Sequence, residues 1–243
     1  MSLAVLAFAE EQAPAARLAA ALGVPFRSIG LHRFPDGESL PTAPSPPRTA
    51  ILYRSLDRPD AKLAPLLLAA DALRRGGAQR IVLVAPYFCY LRQDRVFEAG
   101  QPLSRDVIAP LIGGAVDRIV TVEAHLHRTA DLSAATGVPS RSLTAVPVLV
   151  PLFEAGPGRL VVGPDAESEP WARAWGEALA CPHKVLAKVR RGDRDVRLAG
   201  LDRADVAGRR VLLVDDVASS GTTLARAARL AARCGALGVD AAV

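Results

Sequence analysis

The feature that most constrains the fold is a regular alternation of short aliphatic runs with longer segments of helical periodicity. Runs rich in Val, Ile and Leu that are bounded by turn residues are typical of buried strands, and strands separated by helices form βαβ units. Eight runs predict strands: residues 3–8, 49–53, 80–85, 118–122, 159–162, 184–187, 210–214 and 239–243. The pattern therefore predicts an α/β fold with mainly parallel sheets flanked by helices.

Two helices are predicted most clearly between these strands. The first has Asp60 as a possible N-cap and stops at Gly76, and the second opens at Thr222 and ends at Gly235. Both have the apolar spacing of helices that face a core. The proline-rich stretch 41–47 predicts a surface loop, because a strand follows it at once.

Two of the predicted strands, one in each half of the chain, end in loops rich in polar side chains, which indicates a duplicated α/β architecture. Small and turn-forming residues collect at 137–143. We therefore predict an N-terminal domain at 1–140 and a C-terminal domain at 141–243. The last residues read as the start of an internal strand, which would expose a pairing edge, so we expect the second domain to be incomplete at its C-terminus.

Composition excludes several classes of protein. The chain has 243 residues, half of them apolar, which is enough for a sizeable core. Cys89, Cys181 and Cys234 form no CxxC pattern, which argues against disulfides and a zinc site and favours a reducing, cytoplasmic location. The formal charge is +5, but the arginines are dispersed without interleaved aromatic residues, so we expect neither a nucleic-acid partner nor, without a long apolar run, a membrane partner.

The strongest chemical signal follows the predicted strand 210–214. Two carboxylates, Asp215 and Asp216, precede a turn that leads into a helix, and the turn is built from Ser219, Ser220, Gly221, Thr222 and Thr223. Successive N–H groups and hydroxyls at the positive end of a helix are suited to a phosphate monoester, while the acids can accept hydrogen bonds from sugar hydroxyls. The alternative is an Asp-capped helix after a flexible turn. We disfavour it, because paired acids at the end of an apolar strand are costly unless something compensates them.

This segment resembles the phosphoribosyl-diphosphate-binding loop of type I phosphoribosyltransferases. Four further segments stand in the order and spacing of the ribose-phosphate diphosphokinase family: Phe34-Pro-Asp-Gly-Glu38, Pro86-Tyr-Phe-Cys-Tyr-Leu-Arg-Gln-Asp-Arg95, Val120-Thr-Val-Glu-Ala-His125 and Gly163-Pro-Asp165. The similarity spans almost the whole chain. It implies two tandem phosphoribosyltransferase-like domains.

The resemblance implies roles for particular residues. ATP would be held by Phe34, Asp36 and Glu38, which a neighbouring subunit would supply, and by Arg92, Gln93 and Asp94. His125 and Asp165 would bind Mg²⁺, with Glu123 as a further ligand, and Lys188 and Arg190 would be catalytic. The loop at Asp215, Asp216, Ser219, Ser220, Gly221, Thr222 and Thr223 would hold ribose 5-phosphate. For Arg92 taken alone, an ion pair with Asp94 or Asp106 is the structural alternative.

The activity implied by the resemblance is transfer of diphosphate from ATP to the 1-hydroxyl of ribose 5-phosphate, which releases AMP. A homo-oligomer is implied with it. Two alternatives stay open. A phosphoribosyltransferase that consumes the product would share the 215–223 loop, and a non-catalytic regulatory paralogue is favoured by departures from the family pattern such as Cys89 and Leu91.

Overall fold

A computed structural model describes residues 2–126, 131–191 and 195–243, with the backbone alone at 188–191 and 195–197. The chain forms two compact units, Met1–Leu143 and Thr144–Val243. In the described part of the chain, no helix combines the length and the apolar character needed to cross a bilayer.

The N-terminal unit is built on one seven-stranded sheet. Its strands have the order β3-β2-β1-β4-β5-β6-β7, and every neighbouring pair is parallel except β2 with β3. The elements are β1 (Leu3–Phe8), a 3₁₀ turn (Ala9–Glu11), α1 (Gln12–Leu22), β2 (Phe26–Arg33), β3 (Ser39–Thr42), β4 (Thr49–Tyr53), α2 (Asp60–Arg75), β5 (Arg80–Ala85), α3 (Ser104–Ala115), β6 (Arg118–Val122), α4 (Leu132–Thr136) and β7 (Ser140–Leu143).

Helices cover both faces of this sheet, which explains the continuous apolar runs of its strands. On β1, Val5 and Ala7 pack with α1, whereas Leu6 and Phe8 belong to the larger core that includes residues of α2 and α3. Alternate residues of a strand point to opposite faces, so one strand serves both cores.

The C-terminal unit has a four-stranded sheet in the order β13-β12-β8-β9, with all neighbours parallel, and a separate antiparallel pair, β10 with β11. Helices α8 and α6 pack on opposite faces of the sheet. The elements are α5 (Val146–Leu149), β8 (Arg159–Gly163), α6 (Glu169–Ala178), β9 (His183–Val185), β10 (Ala187–Arg191), β11 (Asp195–Ala199), α7 (Arg203–Val206), β12 (Arg210–Val214), α8 (Thr222–Cys234) and β13 (Gly238–Ala242); 3₁₀ turns span Val150–Leu152 and Ala166–Ser168.

The predicted α/β class is confirmed, and seven of the eight predicted strands occur within one residue of the expected bounds. The prediction of a single strand at 184–187 is wrong, because the buried Leu186 interrupts the strand and separates β9 from β10. Four strands were not predicted, β2, β3, β7 and β11, because their sequences mix polar and apolar residues. The first compact unit ends with β7, and the domain limits 1–140 and 141–243 stay a prediction.

Two local predictions need correction. Helix α2 takes Pro59 as its N-cap, so Asp60 is its first residue and does not cap it. The Asp60 carboxylate instead accepts a hydrogen bond from the hydroxyl of Tyr90. The stretch 41–47 is only partly a loop, because Pro41 and Thr42 complete β3 at the edge of the sheet, where proline is tolerated.

Candidate active site

The loop between β12 and α8 carries the predicted phosphate site. The last four residues of β12 are buried, and the strand lies between β13 and β8, so Asp215 and Asp216 emerge at the carboxyl edge of the sheet. The chain then turns through 217–221 into α8. Gly221 precedes the helix with φ 69°, a left-handed value that glycine adopts without strain. The loop therefore ends at the positive end of a 13-residue helix.

The amide groups of this loop remain available to a ligand. Among the described residues, no acceptor pairs with the N–H groups of residues 217–221. The hydroxyls of Ser220 and Thr222 lie 2.9 Å apart, Ser219 is exposed, and Thr223 is half-buried. A row of unpaired donors before a helix is suited to a phosphate group, which accepts several hydrogen bonds at once.

The acidic pair beside these donors is electrostatically unusual. Burial, as the largest cause, and the nearby charges of Asp216 and Asp165 together raise the pKa of the Asp215 carboxyl to about 7, against a partial offset from the Asp216 amide. That amide donates to Asp215 Oδ1 at 3.1 Å. The carboxylates therefore favour a cation or hydroxyl donors at this edge.

Asp165 reaches the same edge from the neighbouring strand β8. It caps the 3₁₀ turn Ala166–Ser168, with its carboxylate accepting from the Glu167 amide at 3.1 Å, and its own amide donates to Ser168 Oγ at 3.3 Å. The capping explains why an acidic residue is stable here. The electrostatic effect of Asp165 on Asp215 shows that the structure brings these two predicted site residues together.

In the N-terminal unit, the predicted ATP segment follows β5. Tyr90 has φ 60°, a strained value for a residue with a side chain, and the Asp60 carboxylate accepts its hydroxyl hydrogen. Arg92 is exposed and makes no ion pair with any residue in the described ranges, so the alternative pairing with Asp94 or Asp106 is not observed. Asp106 pairs instead with Arg105 at 2.7 Å.

Gln93 and Asp94 are held by the local fold. The Ser104 hydroxyl donates to Gln93 Oε1 at 2.5 Å, and the Arg105 amide donates to the Gln93 carbonyl at 3.2 Å. Asp94 is buried. These hydrogen bonds hold the segment against the start of α3. They therefore fix the backbone position of Arg92, the residue predicted to contact the nucleotide.

The predicted metal residues of this unit follow β6. Glu123 has φ 44°, and its amide donates to the Leu143 carbonyl at 2.9 Å. His125 is half-buried just beyond it. Because β5 and β6 are adjacent parallel strands, Arg92 and His125 follow neighbouring strands at one edge of the sheet. In the described residues no group of three or more His, Cys, Asp or Glu side chains is arranged to hold a metal by itself.

Phe34, Asp36 and Glu38 lie in the tight turn between β2 and β3. Phe34 and Glu38 pair through a 2.9 Å backbone bond, and the Glu38 amide donates to Asp36 Oδ1 at 3.0 Å. Phe34 is 40% exposed, stacked edge-on against His32. In the sheet, β2 is separated from β5 by β1 and β4. Three strand spacings of about 4.8 Å put the two strands about 14 Å apart.

Lys188 and Arg190 lie at alternate positions of β10, paired in register with Leu198 and Val196 of β11. This strand forms a hairpin with β11. The tip of this hairpin, 192–194, lies outside the described residues.

The sequence pattern did not predict the supporting roles of two residues. Asp60 restrains Tyr90, and Ser104 restrains Gln93. Neither residue stands beside its partner in the sequence, and a carboxylate or a hydroxyl at a helix start is usually taken for a cap.

An acidic pair and an amide-rich turn before a helix lie at the carboxyl edge of a parallel sheet. This arrangement fits a phosphoribosyltransferase-type protein. Comparison with known families agrees with this class. The family described as the N-terminal domain of ribose phosphate pyrophosphokinase matches residues 3–115, and the phosphoribosyl transferase domain matches residues 156–243.

Individual relatives are more specific. The chain is 32% identical to a ribose-phosphate pyrophosphokinase of Methanopyrus kandleri, over 93% of this chain and 78% of the relative, and 33% identical to one of Thermococcus kodakarensis, over 88% and 76%. The crystal structure of phosphoribosylpyrophosphate synthetase from Mycobacterium smegmatis matches with a TM-score of 0.82 and 27% identity, over 99% of this chain and 80% of that one. The chain belongs to the ribose-phosphate pyrophosphokinase family, a family of transferases.

Proposed function

We propose that the protein transfers diphosphate from ATP to the 1-hydroxyl of ribose 5-phosphate. The hydroxyl oxygen attacks the β-phosphorus, the bond from that phosphorus to the oxygen bridging to the α-phosphate breaks, and AMP leaves with this oxygen. The hydroxyl proton passes to solvent. The observation that carries the proposal is the 215–223 loop, where the amides of 217–221 have no acceptor among the described residues and lie next to Asp215, whose pKa is raised.

In this proposal the C-terminal unit binds the acceptor sugar. The amides of 217–221 and the hydroxyls of Ser219, Ser220, Thr222 and Thr223 hold the 5-phosphate. Asp215 and Asp216 accept hydrogen bonds from ribose hydroxyls. This division uses each group for the charge it favours, because the acids would repel a phosphate that the amides attract.

The nucleotide is held by the segment after β5. The unpaired Arg92 guanidinium would bind phosphate oxygens in a bidentate manner, and Gln93 and Asp94 would complete the contact. Lys188 and Arg190 on β10 would neutralise charge on the transferring group. Phosphoryl transfer depends mainly on such positioning and neutralisation, so no covalent intermediate is needed.

The donor set suits Mg²⁺. His125 and Glu123 in the N-terminal unit, and separately Asp165 in the C-terminal unit, each offer few ligands, which would suit an ion that keeps most of its waters and bridges to substrate phosphates. The raised pKa of Asp215 supports a cation near that carboxylate as well. The ion would neutralise the triphosphate charge.

We also propose a homo-oligomer in the cytoplasm. The 34–38 turn and Arg92 follow strands about 14 Å apart in the same sheet, and Phe34 is 40% exposed, so the turn can face a neighbouring copy. A second copy that supplies Phe34, Asp36 and Glu38 would complete the site. The three free cysteines fit a reducing compartment.

One assay tests this function against its alternatives. The protein is incubated with Mg²⁺, ATP and ribose 5-phosphate, and AMP is measured; we expect AMP in equal amount to phosphoribosyl diphosphate. The product is then offered with nucleobases. Pyrophosphate release in the second reaction, without AMP formation in the first, would identify a phosphoribosyltransferase. No product in either reaction would favour a regulatory paralogue.

A further inference from the structure

The N-terminal unit contains a polar cavity at the ends of β1 and β4, lined by residues other than those proposed to bind ATP or Mg²⁺. The sheet order reverses between β1 and β4, because α1 leads from β1 to β2 on one side while β4 continues to β5 on the other. Parallel α/β sheets bind ligands at the carboxyl ends of strands where the order reverses. A cavity of about 440 Å³ lies here, which we call the switch-point crevice; it is lined by Glu10, Glu11, Pro14, Arg33, Tyr53, Ser55, Asp57, Arg58, Ala61 and Lys62.

The carboxylates of the switch-point crevice are already paired within the protein. Glu10 and Glu11 both accept from the Arg54 guanidinium. Glu11 also accepts from the Ser55 amide at 2.8 Å and lies 3.5 Å from Lys62 Nζ, which lies 2.8 Å from Asp57. A metal cation would have to displace these partners, so the acidic groups do not favour a cation here.

Two guanidinium groups that line the switch-point crevice make no ion pair with the described residues. Arg58 is exposed and pairs with no carboxylate in the described ranges of the chain, and Arg33 contacts only the Ser39 hydroxyl there, at 3.3 Å. The N-terminal end of α2 also borders the cavity, through Ala61. Unpaired guanidinium groups and the positive end of a helix attract anions.

The buried Arg54 reduces the negative potential of the two glutamates. Its side chain is fully buried, and in the described structure its Nε and Nη2 atoms have no hydrogen-bond partner. The guanidinium lies 4.3 Å from the centre of the Phe8 ring, which offsets part of that loss. Arg54 therefore holds the two glutamates in place and offsets part of their negative charge, which lowers their repulsion of an anion in the crevice.

We propose that the switch-point crevice binds a small phosphorylated molecule through Arg33, Arg58 and the hydroxyl of Tyr53. The Tyr53 pKa is raised, mainly by burial and then by Glu11, so its hydroxyl stays a donor at neutral pH. The volume is within the range of small-molecule sites. This site goes beyond the proposed function, which uses the 217–221 amides and the segments after β5 and β6.

Anomalous diffraction locates the anion directly. Crystals of the full chain are soaked with tungstate, a phosphate mimic. We expect one peak at the 217–221 amides and a second between Arg33 and Arg58. A peak at 217–221 alone overturns the crevice site and leaves the proposed function standing, whereas a peak in the crevice alone supports this site and counts against the phosphate loop.

Equilibrium dialysis with labelled inorganic phosphate tests the same site in solution. We expect two sites per chain in the wild type and a crevice site weakened about 10-fold or more by Arg33→Gln with Arg58→Asn, since charged hydrogen bonds are lost. Asn tolerates the left-handed φ of 50° at position 58. Arg75→Gln, which changes an exposed arginine on α2, is the matched control and should keep both sites.

Competition identifies the form of the ligand. Glycerol 3-phosphate that displaces labelled phosphate from the crevice at lower concentration than unlabelled phosphate indicates an organic phosphate ester, and the reverse order indicates free phosphate. Equal binding by the double variant and the wild type, with both folded by thermal melting, would overturn the proposal.

Discussion

The switch-point crevice and the 215–223 loop both place two consecutive acids after a buried parallel strand, yet they treat the charges differently. Glu10 and Glu11 are neutralised by Arg54 and Lys62. In the described part of the chain no cation pairs with Asp215, and its pKa rises to about 7. Acids that the protein pairs internally serve its structure, while acids left uncompensated at a strand end are available to a ligand.

The largest effect on kcat is expected from replacing Lys188, which we propose neutralises charge on the transferring group. Lys188→Ala should lower kcat by about 10³ or more, because a cation that acts on the transferring group is lost, with little change in ribose 5-phosphate binding. Steady-state AMP formation and isothermal titration measure the two quantities. Lys184→Ala is the matched control, since Lys184 already pairs with Asp205 at 2.5 Å; equal losses of kcat in both variants would contradict the role of Lys188.

Removing the compensating cation should be costly for stability. Arg54→Met leaves Glu10 and Glu11 without their buried partner, and we expect a loss of about 3–5 kcal/mol in the free energy of unfolding. Urea denaturation measures it. The exposed Arg75→Ala should change nothing measurable, and a similarly mild Arg54→Met would show that Lys62 alone neutralises the glutamates.

The turn that follows Asp215 and Asp216 has its own conformational requirement. Gly221→Ala should cost about 1–2 kcal/mol, because φ 69° is unfavourable for a residue with a Cβ although no atom lies within 4 Å of it. Ribose 5-phosphate should bind more weakly through the displaced amides. Thermal melting and titration test both effects; Gly114→Ala in α3, which also has open space around its Cβ, should leave the affinity for ribose 5-phosphate unchanged.

The smallest effect should be a gain of stability. Asp215→Asn removes a carboxylate whose burial disfavours its charge, and we expect about 1 kcal/mol after allowance for solvent screening, or about 2–4 °C in Tm, together with loss of activity. The folded-state pKa is raised, so the folded protein binds this proton more tightly than the unfolded chain. The stability it contributes is present below the ordinary pKa near 4 and is lost as pH rises through about 7.

The difference in Tm between Asp215→Asn and the wild type should therefore widen from pH 5 to pH 8. Scanning calorimetry across this range measures it. A difference that is constant with pH would show that Asp215 is already compensated, and the contrast between the two acidic pairs would no longer hold.

Sequence patterns predicted the strands that consist mainly of consecutive aliphatic residues, such as β1 and β12, because burial on both faces of a sheet requires continuous apolar runs. They did not predict β3 or β7, where a neighbouring strand rather than the local sequence decides the conformation. The 215–223 loop could be proposed as a phosphate site from the sequence because all its groups are consecutive, and that role stays a prediction. The switch-point crevice was not, since Arg33, Arg58 and Glu11 meet only through the order of the strands.

The isolation of β10 and β11 from the four-stranded sheet has a consequence for how such a protein can change. Within the described residues their ladder involves only each other, so substitutions at Lys188 or Arg190 should leave the register of β8, β9, β12 and β13 unchanged. With the catalytic roles proposed for these two residues, selection on turnover and selection on foldability would act on different positions, and the catalytic rate could change without loss of the fold.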